Sequence, residues 1–302
     1  MFPENVMIEE QGLRDGLQSE KSIVPTEKKL ELIRAVIEAG VKRIQVTSFV
    51  HPKHVPAMAD AEAVCKGLDH KNGVIFSGLV LNIKGIERAA EAGLKHVAAS
   101  ISASDTHSRK NSNADLPTAR KRFAEMVRIG KEHGLTIRGG LQCVFGCRFE
   151  GSIDPVSVLD IIKEQLDIGI DEVALADSTG MANPRSIQEI SAQVLELAQD
   201  KPLFLHLHDT EGKGMANVLA AMQVGIRHFD TAFGGMGGCP FINGASGNIS
   251  TEDIVFMLDQ MGIKTGIDAH KIALVSQYLE EFFVKKFSGK MHNILGRTDI
   301  RY

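Results

Sequence analysis

Short apolar or β-branched runs alternate with longer segments of helical periodicity along most of the chain. The runs at 6–12, 43–49, 74–80, 96–102, 137–145, 172–178, 203–209 and 228–233 predict strands. Between several of them apolar positions recur every three to four residues. The stretch 26–40 sets Leu30, Ile33 and Ile37 on one face, and 116–134, 154–169, 183–199 and 213–225 repeat the pattern. Gly40, Gly93, Gly134, Gly169 and Gly225 each stand where helix gives way to strand, the place of a left-handed helix terminator. The segments EAGVKRIQV, EAGLKHVAA, DIGIDEVAL and QVGIRHFDT are variants of one hand-over. Eight strand–helix units predict an α/β fold, a closed (β/α)8 TIM barrel, with a doubly wound sheet as the competing arrangement.

No GxGxxG follows the first strand and no GxxxxGK[ST] occurs, so no nucleotide cofactor is expected. One more helix is predicted over 267–287, inside a C-terminal helix and tail at 267–302. No Pro/Ser-rich linker interrupts the chain, and 1–302 reads as a single domain. The helix at 267–287 is the candidate contact for a homodimer or higher homo-oligomer.

Composition removes several classes of function. The formal charge is −4 over 302 residues, which gives no bulk attraction to nucleic acid or anionic lipid. No apolar run reaches the roughly 18 residues of a membrane helix, and MFPENVMIEEQG lacks the basic and apolar parts of a signal peptide. Neither a nucleic-acid nor a membrane partner is expected. Four cysteines without a CxxC suit a reducing, cytoplasmic setting.

In a barrel of this type, chemistry gathers at the C-terminal ends of the strands, and here those ends are polar. The first strand runs into Arg14 and Asp15, the second into Thr47-Ser48, the sixth into Asp177-Ser178-Thr179, and the seventh into His206-Leu207-His208-Asp209. On a strand, residues two apart share a face. His206 and His208 therefore read as a metal pair or as hydrogen-bonded lining residues. With Asp15 they would form a mixed N/O donor set suited to Mg2+ or Mn2+, with Zn2+ as a further option. Arg14 reads as a surface ion pair or as a fixed cation for a developing oxyanion. The segment GGMGGCPFINGASGN carries one thiol, Cys239, fit for proton transfer from a glycine-rich lid. Thr251 then opens a helix as N-cap or first-turn residue. Cys143 and Cys147 read as packed thiols rather than a metal pair. SRKNSN (108–113) reads as a short polar loop, solvated or meeting phosphate through Arg109 and Lys110.

With these residues in view, the sequence resembles the 3-hydroxy-3-methylglutaryl-CoA lyase family over roughly 7–270. The motifs are RDGLQSE, VTSFVHPKHVPAM, SASDTHSRKN, FGCRFEG, DSTGMANP, HLHDTEGKGMAN and GGCPFINGASGNISTED. The resemblance implies a divalent cation on Asp15, His206, His208 and Asn248. It also implies Arg14 near the thioester carbonyl, Cys239 as the lid thiol, and Asp177 as an active-site aspartate. It puts Lys110 and Asn111 near the coenzyme A entrance, with an acyl-CoA as substrate. The implied reaction is cleavage of 3-hydroxy-3-methylglutaryl-CoA to acetyl-CoA and acetoacetate. Catalytic roles then fall to Arg14, Asp15, His206 and Cys239, with Gln45 in the acyl pocket. The chain departs from the family at Leu13, where proline is common, and at Gln45, where the family usually has Glu. It departs again at Arg148 and at Glu211-Gly212-Lys213. These departures leave the reaction type intact and open the choice of acyl group. The alternatives are a lyase for a related substrate such as citramalyl-CoA, and a synthase condensing an acyl-CoA with a 2-oxo acid.

Overall fold

In a computed structural model, which describes residues 2–71, 73–238 and 246–295, the eight expected strands are all present. They are β1 (Met7–Glu10), β2 (Arg43–Ser48), β3 (Ile75–Val80), β4 (His96–Ser102), β5 (Thr136–Gln142), β6 (Glu172–Asp177), β7 (Leu203–Leu207) and β8 (His228–Thr231). They run parallel in sequence order, and β1 meets β8 with Met7 opposite His228, so the sheet closes on itself. The doubly wound alternative is excluded by that closure.

The outer helices are α1 (Thr26–Glu38), α2 (Ala61–Lys66), α3 (Ile83–Glu91), α4 (Asp105–Ser112), α5 (Leu116–Glu132), α6 (Pro155–Asp167), α7 (Pro184–Ala198) and α8 (Gly214–Gln223). After the barrel come α9 (Thr251–Gln260), α10 (Ala269–Phe283) and α11 (His292–Leu295). Local chemistry sets the helix starts. Asn82, Asp115, Asp154 and Asn183 each accept a first-turn N–H to open α3, α5, α6 and α7. Gly40, Gly93, Gly134, Gly169 and Gly225 all have positive φ, as a left-handed terminator requires. Ser250 caps α9, which leaves Thr251 in its first turn.

Two local expectations are corrected and a third is refined. SRKNSN is not a loop, because most of it belongs to α4, capped by Ser104. The helix predicted over 267–287 ends at Phe283, where Val284 turns left-handed. Arg14 and Asp15 lie past the end of β1, on a single π-helical turn, Gly12–Gly16.

The apolar core lies between sheet and helices. Val97, Ile137, Val173, Leu205 and Phe229 are each 1% exposed or less. Full burial of such a side chain stabilises the fold by roughly 1.5–3 kcal/mol. The barrel interior is ionic instead. Arg43 grips Glu172 through both terminal nitrogens (2.9 and 2.7 Å) and reaches Glu9 through Nε (2.9 Å). Arg138 reaches Glu9 (3.1 Å) and Asp230. Both guanidinium groups stack on the Phe204 ring, at 4.8 and 4.4 Å. Among the described residues no helix is long and apolar enough to cross a membrane.

Candidate active site

The turn after β1 carries Arg14 and Asp15 inward over the C-terminal mouth. Gly12 permits this turn, because a Cβ there would strike the Phe233 ring. The carboxylate of Glu10 fixes it from below, accepting N–H groups from Gly12 (2.7 Å) and Phe233 (3.0 Å) and the Thr251 hydroxyl (2.7 Å). Burial pushes the Glu10 carboxyl up to about 7.

Ligand atoms of Asp15, His206 and His208 converge within 4.8 Å of one another. The imidazoles face each other, Nε2 to Nε2 at 3.1 Å, as their two-residue spacing predicts. Nδ1 of His206 lies 3.3 Å from Asp230 Oδ2. Burial would raise the Asp230 carboxyl, but Arg138 and His206 outweigh it and hold it low. An ionised Asp230 only accepts, so Nδ1 of His206 donates and Nε2 turns its lone pair to the cluster.

Asn248 arrives on the segment after β8, bridged to His208 at the end of β7. Its Nδ2 donates to Asp15 Oδ2 (2.7 Å) and to the Met236 carbonyl (2.9 Å). These two bonds fix the amide orientation and leave Oδ1 buried without a hydrogen-bond partner. A buried orphan acceptor beside a carboxylate and two imidazoles is the donor set of a hard or borderline divalent cation. The residues fit a metal.

Charge at the site follows from burial and proximity. Burial favours a neutral Asp15, but the Arg14 guanidinium, both histidines and the Asn248 amide prevail and lower its carboxyl to about 2. Burial, with His206 and Arg14, pushes His208 down to about 4 against the pull of Asp15. The His208 ring is therefore neutral at physiological pH and able to coordinate.

Arg14 is the other fixed group. Its Nε donates to Gln45, Nη1 to Asp15 (2.5 Å) and Nη2 to Gln11 (3.1 Å). A guanidinium has five N–H donors; these three bonds leave two for a ligand. Arg14 and the metal-ligating cluster line one cavity of about 1790 Å³, together with Gln45, Lys110 and Asn111. This exceeds the roughly 300–1,000 Å³ typical of small-ligand sites. A separate hollow of about 810 Å³ at the opposite end of the barrel is bounded by Met7, Arg227 and Lys264 and holds none of these groups.

Not every expected residue reaches the mouth. Asp177 alternates out of register with its cavity-lining neighbours Ala176 and Ser178. Its Oδ2 instead accepts the Ala182 N–H (3.2 Å), and burial raises its carboxyl to about 6. It shapes the loop after β6 from behind and does not line the cavity, where the resemblance implies an active-site aspartate. Cys239 lies outside the described residues. Cys143 and Cys147 are fully buried, as packed thiols should be. The sequence departures at Arg148 and Glu211 pair with each other across the loops after β5 and β7, and Lys213 joins them at 2.7 Å from Glu211. Sequence reasoning missed Asp230 and Arg138. The signal was an ion at an inward, two-residue spacing in HFDT and IRGG, legible only once the inward face is known.

Comparison with known proteins agrees with this geometry. Residues 5–279 match the HMGL-like family. The mitochondrial hydroxymethylglutaryl-CoA lyase of Bos taurus is 39% identical over 290 residues, covering 96% of this chain and 89% of that one. The hydroxymethylglutaryl-CoA lyase of Bacillus subtilis is 39% identical over 280 residues, covering 93% and 94%. Among solved structures, an HMG-CoA lyase from Acinetobacter baumannii in complex with coenzyme A and 3-methylmalate superposes with a TM-score of 0.93. It has 39% identity, and the match covers 99% of this chain and 98% of that one. The agreement extends over nearly the whole length, and the chain belongs to the HMGL-like family, as a carbon–carbon lyase.

Proposed function

We propose that this lyase cleaves 3-hydroxy-3-methylglutaryl-CoA to acetyl-CoA and acetoacetate, using Mg2+ or Mn2+ held by Asp15, His206, His208 and Asn248. The observation that carries the reading is the convergence of Asp15, His206 and His208, with a buried, unpartnered Oδ1 on the Asn248 amide that bonds Asp15, beside a guanidinium with two free donors. When bound, the cation would act as Lewis acid and template for the substrate's C3 oxygen and carboxylate.

The protein's own groups account for the remaining steps. The C3 hydroxyl proton passes to the Asp15–His206 side of the cluster. His206, with Nδ1 donating to Asp230 and Nε2 turned to the metal site, has no lone pair left to take it, so the acceptor is the Asp15 carboxylate. The C2–C3 bond then breaks, C3 becomes the ketone of acetoacetate, and the electron pair goes to C2 of the thioester. The resulting enolate oxygen takes the free N–H donors of Arg14. Its charge is absent from the ground state, so the contact lowers the barrier rather than merely tightening binding. A proton delivered to C2 completes acetyl-CoA, and Cys239 is retained as its donor on the strength of the motif. The amine of Lys110 and the amide of Asn111 line the same cavity and suit the coenzyme A moiety, as does the ligand of the A. baumannii relative. A cytoplasmic setting belongs to this reading, supported by the reduced thiols of Cys65 and Cys147.

One observation favours a second substrate. Gln45 meets Arg14 with a neutral oxygen, where the family usually presents a carboxylate, and this suits a related 3-hydroxyacyl-CoA such as citramalyl-CoA. Acetyl-CoA release is to be followed over a panel of 3-hydroxyacyl-CoA thioesters, with and without a chelator. The expected result is highest kcat/KM on 3-hydroxy-3-methylglutaryl-CoA, loss of turnover on chelation, and recovery with Mg2+ or Mn2+. Turnover indifferent to the chelator would refute the metal, and a higher kcat/KM on citramalyl-CoA would move the assignment to that substrate.

A further inference from the structure

The chain after α10 does not trail away from the barrel. It crosses the two strands of backbone that carry Asn248. The Ser288 hydroxyl lies 3.0 Å from the Gly235 carbonyl and 2.8 Å from the Ser246 carbonyl. Gly289 donates its N–H to the Gly234 carbonyl at 2.9 Å. Lys290 and Met291 donate theirs to the Asp253 carboxylate, at 3.0 and 2.7 Å. His292 is fully buried between two carboxylates, with Nδ1 3.1 Å from Glu252 and Nε2 3.2 Å from Glu280. Glu252 in turn accepts the Gly234 N–H at 3.1 Å. Residues 234–236 and 246–248 are themselves joined, because Asn248 donates its backbone N–H to the Met236 carbonyl at 3.2 Å.

We propose that residues 288–292 are a positioning brace for the metal centre: they clamp both backbone segments that hold Asn248 and so set its side-chain oxygen. The inference rests on the reading of Asn248 as a ligand. The ligand amide has no anchor of its own beyond Asp15 and the Met236 carbonyl, and that carbonyl sits one residue from Gly235, which the brace fixes. The fit is close, since a Cβ on Gly289 would stand 2.9 Å from Ser250 Oγ and 3.1 Å from the Gly234 carbonyl carbon. Outer-shell partners of this kind typically alter metal affinity by about 10–100-fold.

The test uses the full chain stripped of metal and measures Mn2+ affinity by electron paramagnetic resonance and coenzyme A affinity by calorimetry. Gly289→Ala should weaken Mn2+ by about tenfold or more and leave coenzyme A affinity within about twofold. Ser288→Ala, a gentler change, should shift Mn2+ in the same direction, and saturating Mn2+ should restore kcat in both variants. If both variants bind Mn2+ like the parent while Asn248→Ala loses it, the brace is idle and the proposal falls with the ligand reading intact. If Asn248→Ala also binds Mn2+ like the parent, the ligand reading fails and takes the proposal with it. A parallel loss of Mn2+ and coenzyme A affinity would show general disruption and would equally overturn it.

Discussion

Arg14 concentrates what a single residue contributes here. It is 9% exposed, committed on one side to Gln45, Asp15 and Gln11, and open on the other to the cavity. Removing an electrostatic contact made in the transition state costs about 3–4 kcal/mol, or on the order of 10²–10³ in rate. Arg14→Gln is expected to lose at least that much kcat while its thermal melt stays near that of the parent; near-normal turnover with metal present would reject the role. Arg14, Asp15, His206 and His208 were legible in the sequence because each lies at or just past a strand end and the histidines are two apart. Asp177 misled because it also lies at a strand end. A strand sends alternate side chains to opposite faces, and the residue string does not say which face is the lumen until a neighbour such as Ser178 is seen in the cavity.

Among the elements, the strands and most helices were legible because their apolar spacing is strong and glycines mark the hand-overs. Two of those that were not have no such spacing. α4 is almost wholly polar and is held by its Ser104 cap and by the Asp105–Arg109 pair at 2.6 Å rather than by a wide apolar face. The turn at Gly12–Gly16 is one π-helical winding, too short for periodicity to register. This turn makes its own prediction. A methyl group on Gly12 would overlap the buried Phe233 ring, and overpacking of that kind typically costs about 1–3 kcal/mol. Gly12→Ala should lower stability by that amount in urea unfolding. A variant as stable as the parent would mean that the turn has room the geometry denies.

The whole molecule titrates through its buried groups. The folded state holds Glu10 at about 7, above its ordinary 4.5. Between these values the folded chain keeps a proton that the unfolded chain has released, so this group makes stability fall as pH rises. His208, pushed to about 4 from 6.5, acts oppositely. There the unfolded chain binds the extra proton, and stability rises with pH across that window. Glu10→Gln isolates the first effect. Its amide can still accept the Gly12 and Phe233 N–H groups, while Thr251 can turn its hydroxyl to Thr231, 2.6 Å away. Between about pH 4.5 and 8 the metal-free parent should lose about 3 kcal/mol more stability than the variant, measured by urea unfolding at both ends. Equal slopes would show that Glu10 titrates normally. Closure of the barrel was legible at this scale from eight repeats, but its contents were not. Arg43, Arg138, Glu9 and Glu172 look like solvent-facing charges on separate strands and become partners only when the sheet closes.

The stack of Arg43, Phe204 and Arg138 has a further consequence. It fills the lumen between the metal-ligating cluster and the hollow at the other end. The cylinder is a cup with a sealed bottom, not a tube. Both fragments of a cleaved thioester must leave through the doorway by which the substrate came in.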